Sequence, residues 1–421
     1  MATSAAAPTA PTQAAVSYAP PTRQRVDSID LLRGLVMVIM MLDHTRDFVH
    51  SGAYQFEPTD LSRTTVALFL TRWITHYCAP TFFFLAGAGA FLRRARGATP
   101  GEMTRFLVSR GVWLIVLELT VVRFGITFNF DIGQYDFGQT IWALGWSMIV
   151  LGALVHLPLW ATGTLGVVMV AVHNAFDGIK SPAWTPGKPD ISAMQKLWLV
   201  LHQQGIFAVG GAKGPIFLTF YPLVPWIGVM AAGYAFGRLY TLDAEVRRRM
   251  LLRLGGGLIA LFLLLRASNV YGDASKWSVQ SNAAFTVLSF LNVTKYPPSL
   301  LYLCMTLGPG ILILAVSERA RRGPLGNALV TFGRVPMLFY LLQWYVAHLM
   351  AFGLFLLAGM PTEAMFVNPL VPFSAEVQAH AGFSLPVVYA CWIVGVLLIY
   401  PLCARFAAVK KRRNDWWLGY L

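Results

Sequence analysis

The stretch Asp30–Phe48, DLLRGLVMVIMMLDHTRDF, is long and apolar enough to enter a bilayer, yet it carries Asp30, Arg33, Asp43, His44, Arg46 and Asp47. Arg33 and His44 are eleven positions apart. At about 100° per residue they turn through roughly 1100°, about 20° past three full turns, so both side chains share one helix face, roughly 16 Å apart along the axis. Asp30 lies on the same stripe one turn before Arg33, and Asp43 adjoins the histidine. Charged and titratable groups in hydrocarbon are costly and mark function by default. The stretch therefore predicts a membrane helix with one polar face running most of its length.

The rest of the chain fits that reading. Of 421 residues, 56% are hydrophobic and 12% charged, with a mean hydropathy of +0.58. Soluble domains carry about 25% charged residues. Repeated apolar runs of about 20 residues predict a polytopic, all-α integral membrane protein. Ten spans are expected, near 30–50, 64–92, 105–125, 140–160, 162–177, 216–237, 250–271, 297–317, 328–358 and 385–407. The ninth is long enough to tilt or kink, with Pro336 near its start. The net charge of +14 does not predict a nucleic-acid partner, because the basic residues fall between apolar runs. Arg23/Arg25, Arg93–Arg110, Arg238–Arg253, Arg319–Arg334 and Arg405–Arg413 fall on one side if the N-terminus is cytoplasmic, and the 359–384 loop opposite holds no Lys or Arg. The positive-inside rule then puts both termini in the cytoplasm. The 178–215 loop becomes the largest outer segment, with an amphipathic stretch at Ile191–Gln203.

Residues 1–24 are rich in Ala, Pro and Thr and predict a disordered tail, without the basic start and apolar run of a signal peptide. Cys78, Cys304, Cys391 and Cys403 lie far apart and predict buried free thiols. No HExxH or GxSxG pattern occurs, and no metal site is expected. No internal repeat is evident, which weakens the case for an inverted-repeat transporter.

Several spans bring ionisable groups toward the outer half of the bundle. His44 has Arg46 and Asp47 beyond it. The second span carries Arg72 and His76 on one face. The third carries Glu118 and Arg123, about 140° apart around the helix, so each needs a partner elsewhere. Lys295 and Tyr296 open the eighth span, and Gln343 and His348 lie within the ninth. Histidine suits general acid–base work near neutral pH. This makes His44, His76, Asp43 and Glu118 the catalytic candidates. Arg33, Asp30, Arg46, Arg72, Arg123, Lys295, Tyr296 and Gln343 are expected to line a channel or bind substrate. A purely structural ion-pair network is the competing expectation for Arg33, Glu118 and Arg123. His50, His202 and His380 are expected in exposed loops, and His156 and His173 near span ends. Gly87 and Gly89 are expected to allow close helix packing.

The segments RVDSIDLLRGLVMVIMMLDHTRDF, THYCAPTFFFLAGAGAFL, YPLVPWIGVMAAGY, KYPPSLLYLCMTLGP, FGRVPMLFYLLQW and the terminal WWLGYL resemble bacterial membrane proteins related to heparan-α-glucosaminide N-acetyltransferase, within a wider transmembrane acyltransferase superfamily. The Arg33–x10–His44 spacing is also similar to the arginine–x10–histidine motif of the acyltransferase-3 family. The resemblance covers about residues 25–421, read as one acyltransferase-like domain. It implies that a cytoplasmic acyl-CoA, such as acetyl-CoA, enters from inside and hands its acyl group to an extracytoplasmic sugar or glycan. It also implies a catalytic role for His44. Arginines at the inner mouth, Arg319, Arg321, Arg322 and Arg334, are expected to hold the nucleotide phosphates. Lipid is the expected surrounding, a bacterial inner membrane the expected location, and homodimerisation is left open. The alternative is a proton-coupled transporter or flippase for a small molecule or lipid-linked sugar.

Overall fold

The ten apolar segments of the sequence fold mainly into helix, but the sixth opens on a strand, Ile216–Thr219, and three others are helical in pieces. The computed structural model describes residues 26–131, 133–185, 188–211, 213–319, 322–413 and 415–420, so the predicted 1–24 tail and Arg321 lie outside the described residues. The polar first stretch is one unbroken helix, α1 (Asp27–Val49). The second segment breaks into α2 (Val66–Thr75) and α3 (Cys78–Ala95) at His76 and Tyr77. The break has a local cause. Pro80 has no amide to give the carbonyl four residues back, and that carbonyl, His76 O, accepts the Tyr302 hydroxyl instead (2.8 Å).

The third segment is α4 (Pro100–Leu117), which starts on a Thr99/Glu102 capping box and runs through a π-helical turn, Glu118–Val122, into α5 (Arg123–Thr127). Then come β1 (Tyr135–Gly138), α6 (Thr140–Leu154), α7 (Leu159–Val172) with a 3-10 turn to Phe176, α8 (Ala193–Leu201), β2 (Gly205–Ala208) and β3 (Ile216–Thr219). The chain continues through α9 (Leu223–Phe236), α10 (Ala244–Ser268), α11 (Ala283–Leu291) and α12 (Leu300–Ser317). The ninth segment is α13 (Pro324–Arg334) and α14 (Pro336–Ala358), broken at Val335 in front of the proline that was expected to kink it. Last are α15 (Ala375–His380) and α16 (Leu385–Arg412).

Five helices, Leu159–Phe176, α10, α12, α14 and α16, are long and apolar enough to cross a membrane. Apolar side chains that a soluble protein would bury face outward from several of them, among them Leu264, Leu357 and Leu397. The chain is a helical membrane protein. It is not wholly helical, however, as the sequence reading has it. A small sheet, ordered β1-β3-β2 with β1 parallel and β2 antiparallel to β3, lies in the connections around α6 and α9. Short strands flanked by loops leave little hydropathy signal. The four cysteines are free and buried, as expected.

Helix α1 sits inside the bundle, packed against α13, α14 and α16 and against α2, α3 and α12. Its crossing with α13 is close because both partners are glycine. A Cβ at Gly34 would stand 1.8 Å from the Leu329 carbonyl oxygen, and one at Gly333 would stand 1.8 Å from that of Asp30. Gly87 behaves as expected, meeting α9 backbone, whereas a Cβ on Gly89 would meet nothing within 4 Å.

Candidate functional site

Two cavities open along α1, one at each end of its polar face. The cavity at the His44 end holds about 600 Å³. Its walls carry Asp43, His44, Arg46 and Asp47 from α1, Arg72 from α2, and the Lys295–Tyr296 pair ahead of α12. The His44 ring stacks on Trp344 of α14 at 3.5 Å between centroids and 17° between planes. Its Nδ1 is buried with no hydrogen-bond partner among the described residues. Asp43 does not serve as that partner. Arg46 donates to its Oδ1 (2.8 Å), and Arg72 donates to its Oδ2. Arg46 also reaches Asp47 at 2.6 Å. Just past the helix, half-buried His50 accepts the Gly52 amide on Nδ1 (3.0 Å). Burial, and then the Arg46 charge, hold its imidazole below the ordinary histidine range.

The cavity at the Arg33 end holds about 480 Å³. Among the described residues six cations line it, Arg33, Arg93, Arg96, Arg110, Arg334 and Lys410, and no carboxylate does. Behind them the wall is apolar, with Met37, Leu85, Leu144 and Met148. Arg93 and Arg110 both lie over the Phe106 ring, at 4.2 and 5.2 Å. Among the described residues Arg93, Arg96 and Arg110 pair with no acid. Arg33 bonds Asp30 and the Gly333 carbonyl, both at 3.2 Å, so it locks α1 to α13 while facing the cavity. Gly89, expected only to ease packing, is part of this wall.

The arginines that the sequence nominated for phosphates mostly sit elsewhere. Arg319 pairs with Glu245 and Arg322 with Asp27 (2.6 Å), in a separate cleft of about 270 Å³ that Glu318 also lines. Of the nominated group that the structure describes, Arg334 alone faces the cationic cavity, 3.3 Å from Asp27.

Thr140 lines both cavities. It is the first residue of α6, and a helix start deep in a bundle leaves amide donors unsatisfied. Glu118 supplies the missing acceptor: its Oε2 takes the Ile141 amide (2.9 Å) and the Trp142 amide (3.1 Å). Glu118 does not line the His44 cavity, so its geometry is that of an anchor for Thr140. Arg123 is another anchor. It donates to the carbonyls of Tyr135, Asn129 and Asp131 (3.3, 3.1 and 2.9 Å) and holds the loop leading into α6. Tyr340, one turn before Trp344 on α14, lines the Arg33-end cavity with Thr140. His76 is buried at the α2–α3 break, tilted against Tyr302, and lines neither cavity. Gln343 is wholly buried, also lines neither, and its amide has no partner among the described residues.

A protein-family comparison matches residues 25–267, more than half of the chain, to the catalytic domain of heparan-alpha-glucosaminide N-acetyltransferase. The chain belongs to this acetyltransferase family. No curated protein matches it. The acetyltransferase match contains His44, Asp43, Arg33, Arg72, the three unpaired arginines and Thr140. Trp344, Lys295, Tyr296, Arg334 and Lys410 lie beyond it. Sequence reasoning missed Thr140, Trp344, Arg93, Arg96, Arg110 and Lys410 as site residues. A signal for the arginines exists in the sequence, since Arg93 and Arg96 are three apart at a helix end, but positive-inside topology accounts for the same residues.

Proposed function

We propose that this membrane acetyltransferase-like protein moves an acyl group, acetyl in the first instance, from acyl-CoA at the Arg33 end of α1 to a sugar or glycan at the His44 end. The observation that carries the proposal is Thr140, a single residue common to the walls of two otherwise separate cavities. A cavity with cations and no acids suits the phosphates of a nucleotide, which arginine binds through paired N–H groups. Its apolar inner wall suits the pantetheine arm, with the thioester arriving at Thr140. The opposite cavity offers tyrosines, glutamines and aromatic faces, the surfaces a polyol binds.

In the proposed reaction, the acceptor hydroxyl or amine gives its proton to the His44 imidazole as its oxygen or nitrogen attacks the thioester carbonyl carbon. The carbon–sulfur bond breaks, and the CoA thiolate takes the proton back from the imidazolium. Trp344 fixes the ring plane. Asp43 acts through the two arginines it holds. An acyl-histidine variant, in which His44 itself attacks, uses the same groups.

The gathering of the basic segments at the Arg33 end supports a cytoplasmic face there, ten crossings, and both termini inside. A bacterial inner membrane fits this orientation. The test is transfer in proteoliposomes, with labelled acetyl-CoA on the Arg33 side and envelope glycans on the other. His44→Ala should lower the rate by about 10²–10⁴-fold and leave acetyl-CoA binding intact. Unchanged transfer in the variant removes His44 from the chemistry. Wild-type substrate uptake with no acyl-CoA requirement and no transfer favours a transporter.

A further inference from the structure

A second polar cluster lies away from both cavities, in the segment joining α7 to β2. Helix α7 ends in the 3-10 turn His173–Phe176, and α8 ends at Leu201, so His173, Asp177 and His202 converge. Their candidate ligand atoms all lie within 4.8 Å of one another. The sequence expectation of an exposed His202 is overturned: His202 is 5% exposed and His173 3%. The two rings stand 5.7 Å apart, with Trp198 and Phe176 also against His202.

Buried imidazole nitrogens normally find partners. Here neither nitrogen of His173 does among the described residues, and Nε2 of His202 has only the Asp177 carboxylate beside it. His202 Nε2 stands 3.3 Å from Asp177 Oδ1. That separation equals the edge of a tetrahedron whose centre is about 2.0–2.1 Å from each corner, roughly 3.3–3.4 Å. The carboxylate is held from behind as well. Asn174 Nδ2 donates to Asp177 Oδ2 (2.9 Å), and Asn174 Oδ1 accepts the Leu300 amide (2.8 Å), tying the group to the start of α12. Such outer partners orient metal ligands.

We propose that His173, Asp177 and His202 bind a divalent transition metal of the zinc class. Two imidazoles and a carboxylate give three of four tetrahedral positions, and the part-exposed Asp177 leaves the fourth to water. One ion would satisfy all the orphaned nitrogens that face it. It would also clamp the α8–β2 segment onto α7 and α12. Gln204, two residues past His202, lines the His44 cavity, so the clamp sets one wall of the candidate acceptor site. The metal site itself stands whether or not the acyl-transfer reading holds.

The test uses full-length, tag-free protein, stripped with chelator and titrated with Zn²⁺ alone. Wild type should retain one equivalent after gel filtration, melt a few degrees higher and resist trypsin at Lys188. Asp177→Asn and His202→Gln should lose that equivalent, and Asn174→Ala should weaken it about 10–100-fold. Co²⁺ gives a check that needs no variant, because a four-coordinate site produces intense visible bands. No retained zinc, a weak octahedral Co²⁺ spectrum, or equal affinity in folded Asp177→Asn and His202→Gln overturns the proposal.

Discussion

The two ends of α1 solve the problem of buried charge in opposite ways. At the His44 end the cavity wall has Arg46, Arg72 and Lys295 against Asp43, Asp47 and Glu57, so cations and acids balance. At the Arg33 end six cations and, among the described residues, no acid line the cavity, with Asp30 and Asp27 pairing Arg33 and Arg334 from behind the wall. A balanced wall has no electrostatic need for a charged guest and suits a neutral one. Arg93, Arg96 and Arg110, which pair with no acid among the described residues, leave that wall with positive charge that favours an anion. In the proposed reaction one helix thus separates a place for a polyanion from a place for a polyol, and this asymmetry, more than any single residue, supports the assignment of donor and acceptor ends.

The strongest way to break the comparison is to reverse the charge at the cationic end. Arg93→Glu with Arg110→Glu should raise the KM for acyl-CoA by about 100-fold or more, since each lost charge-assisted contact to phosphate is worth about 1.5–3 kcal/mol. The acceptor KM should hold within about twofold. Among the described residues neither arginine has an acid partner that the change would strand, and a thermal melt reads the cost of losing their places over the Phe106 ring. A matched rise in both KM values would mean that the two cavities are not separate sites.

Next in size is a change at the junction. Thr140→Leu removes the hydroxyl and adds a longer branched side chain at the wall of both cavities. It should lower kcat by about 10-fold or more, as misplacing reacting groups by about 1 Å does, while acyl-CoA still binds. A variant with full kcat would show that the thioester takes another route.

Thr140 also marks where the sequence stops being legible. Hydropathy finds all ten helical segments, because lipid and core both demand apolar runs. It also finds the polar face of α1, because 3.6-residue periodicity survives any tertiary detail. Thr140 has no such signal. It matters only because Glu118 reaches out of a π-helical turn to hold the start of α6, and that contact spans 23 residues of sequence. Trp344 sits in an ordinary apolar run and gains its role from stacking on His44. The same limit applies to the arginines. A basic residue in a loop looks the same whether an acid from another segment neutralises it or not, and Asp27 and Glu245 do so for Arg322 and Arg319.

That last difference gives the smallest expected effect and a sharp one. Arg319 and Glu245 are 63% and 53% exposed as side chains, and exposed pairs contribute about 0–1 kcal/mol. Arg319 faces the separate cleft at the foot of α12, with Glu318 beside it, and not the cationic cavity. Arg319→Gln should therefore leave the KM for acyl-CoA within about twofold of wild type and shift the melting temperature by about a degree at most. Arg110→Gln, removing one charge of the same kind from the cationic wall, should raise that KM about 10-fold. The two single variants contrast a guanidinium paired with an acid in the α10–α12 cleft with one that lies over Phe106 in the cationic wall. If Arg319→Gln weakens acyl-CoA binding as much as Arg110→Gln does, the donor's phosphates lie across the α10–α12 cleft, and the unbalanced cavity is not where the donor binds.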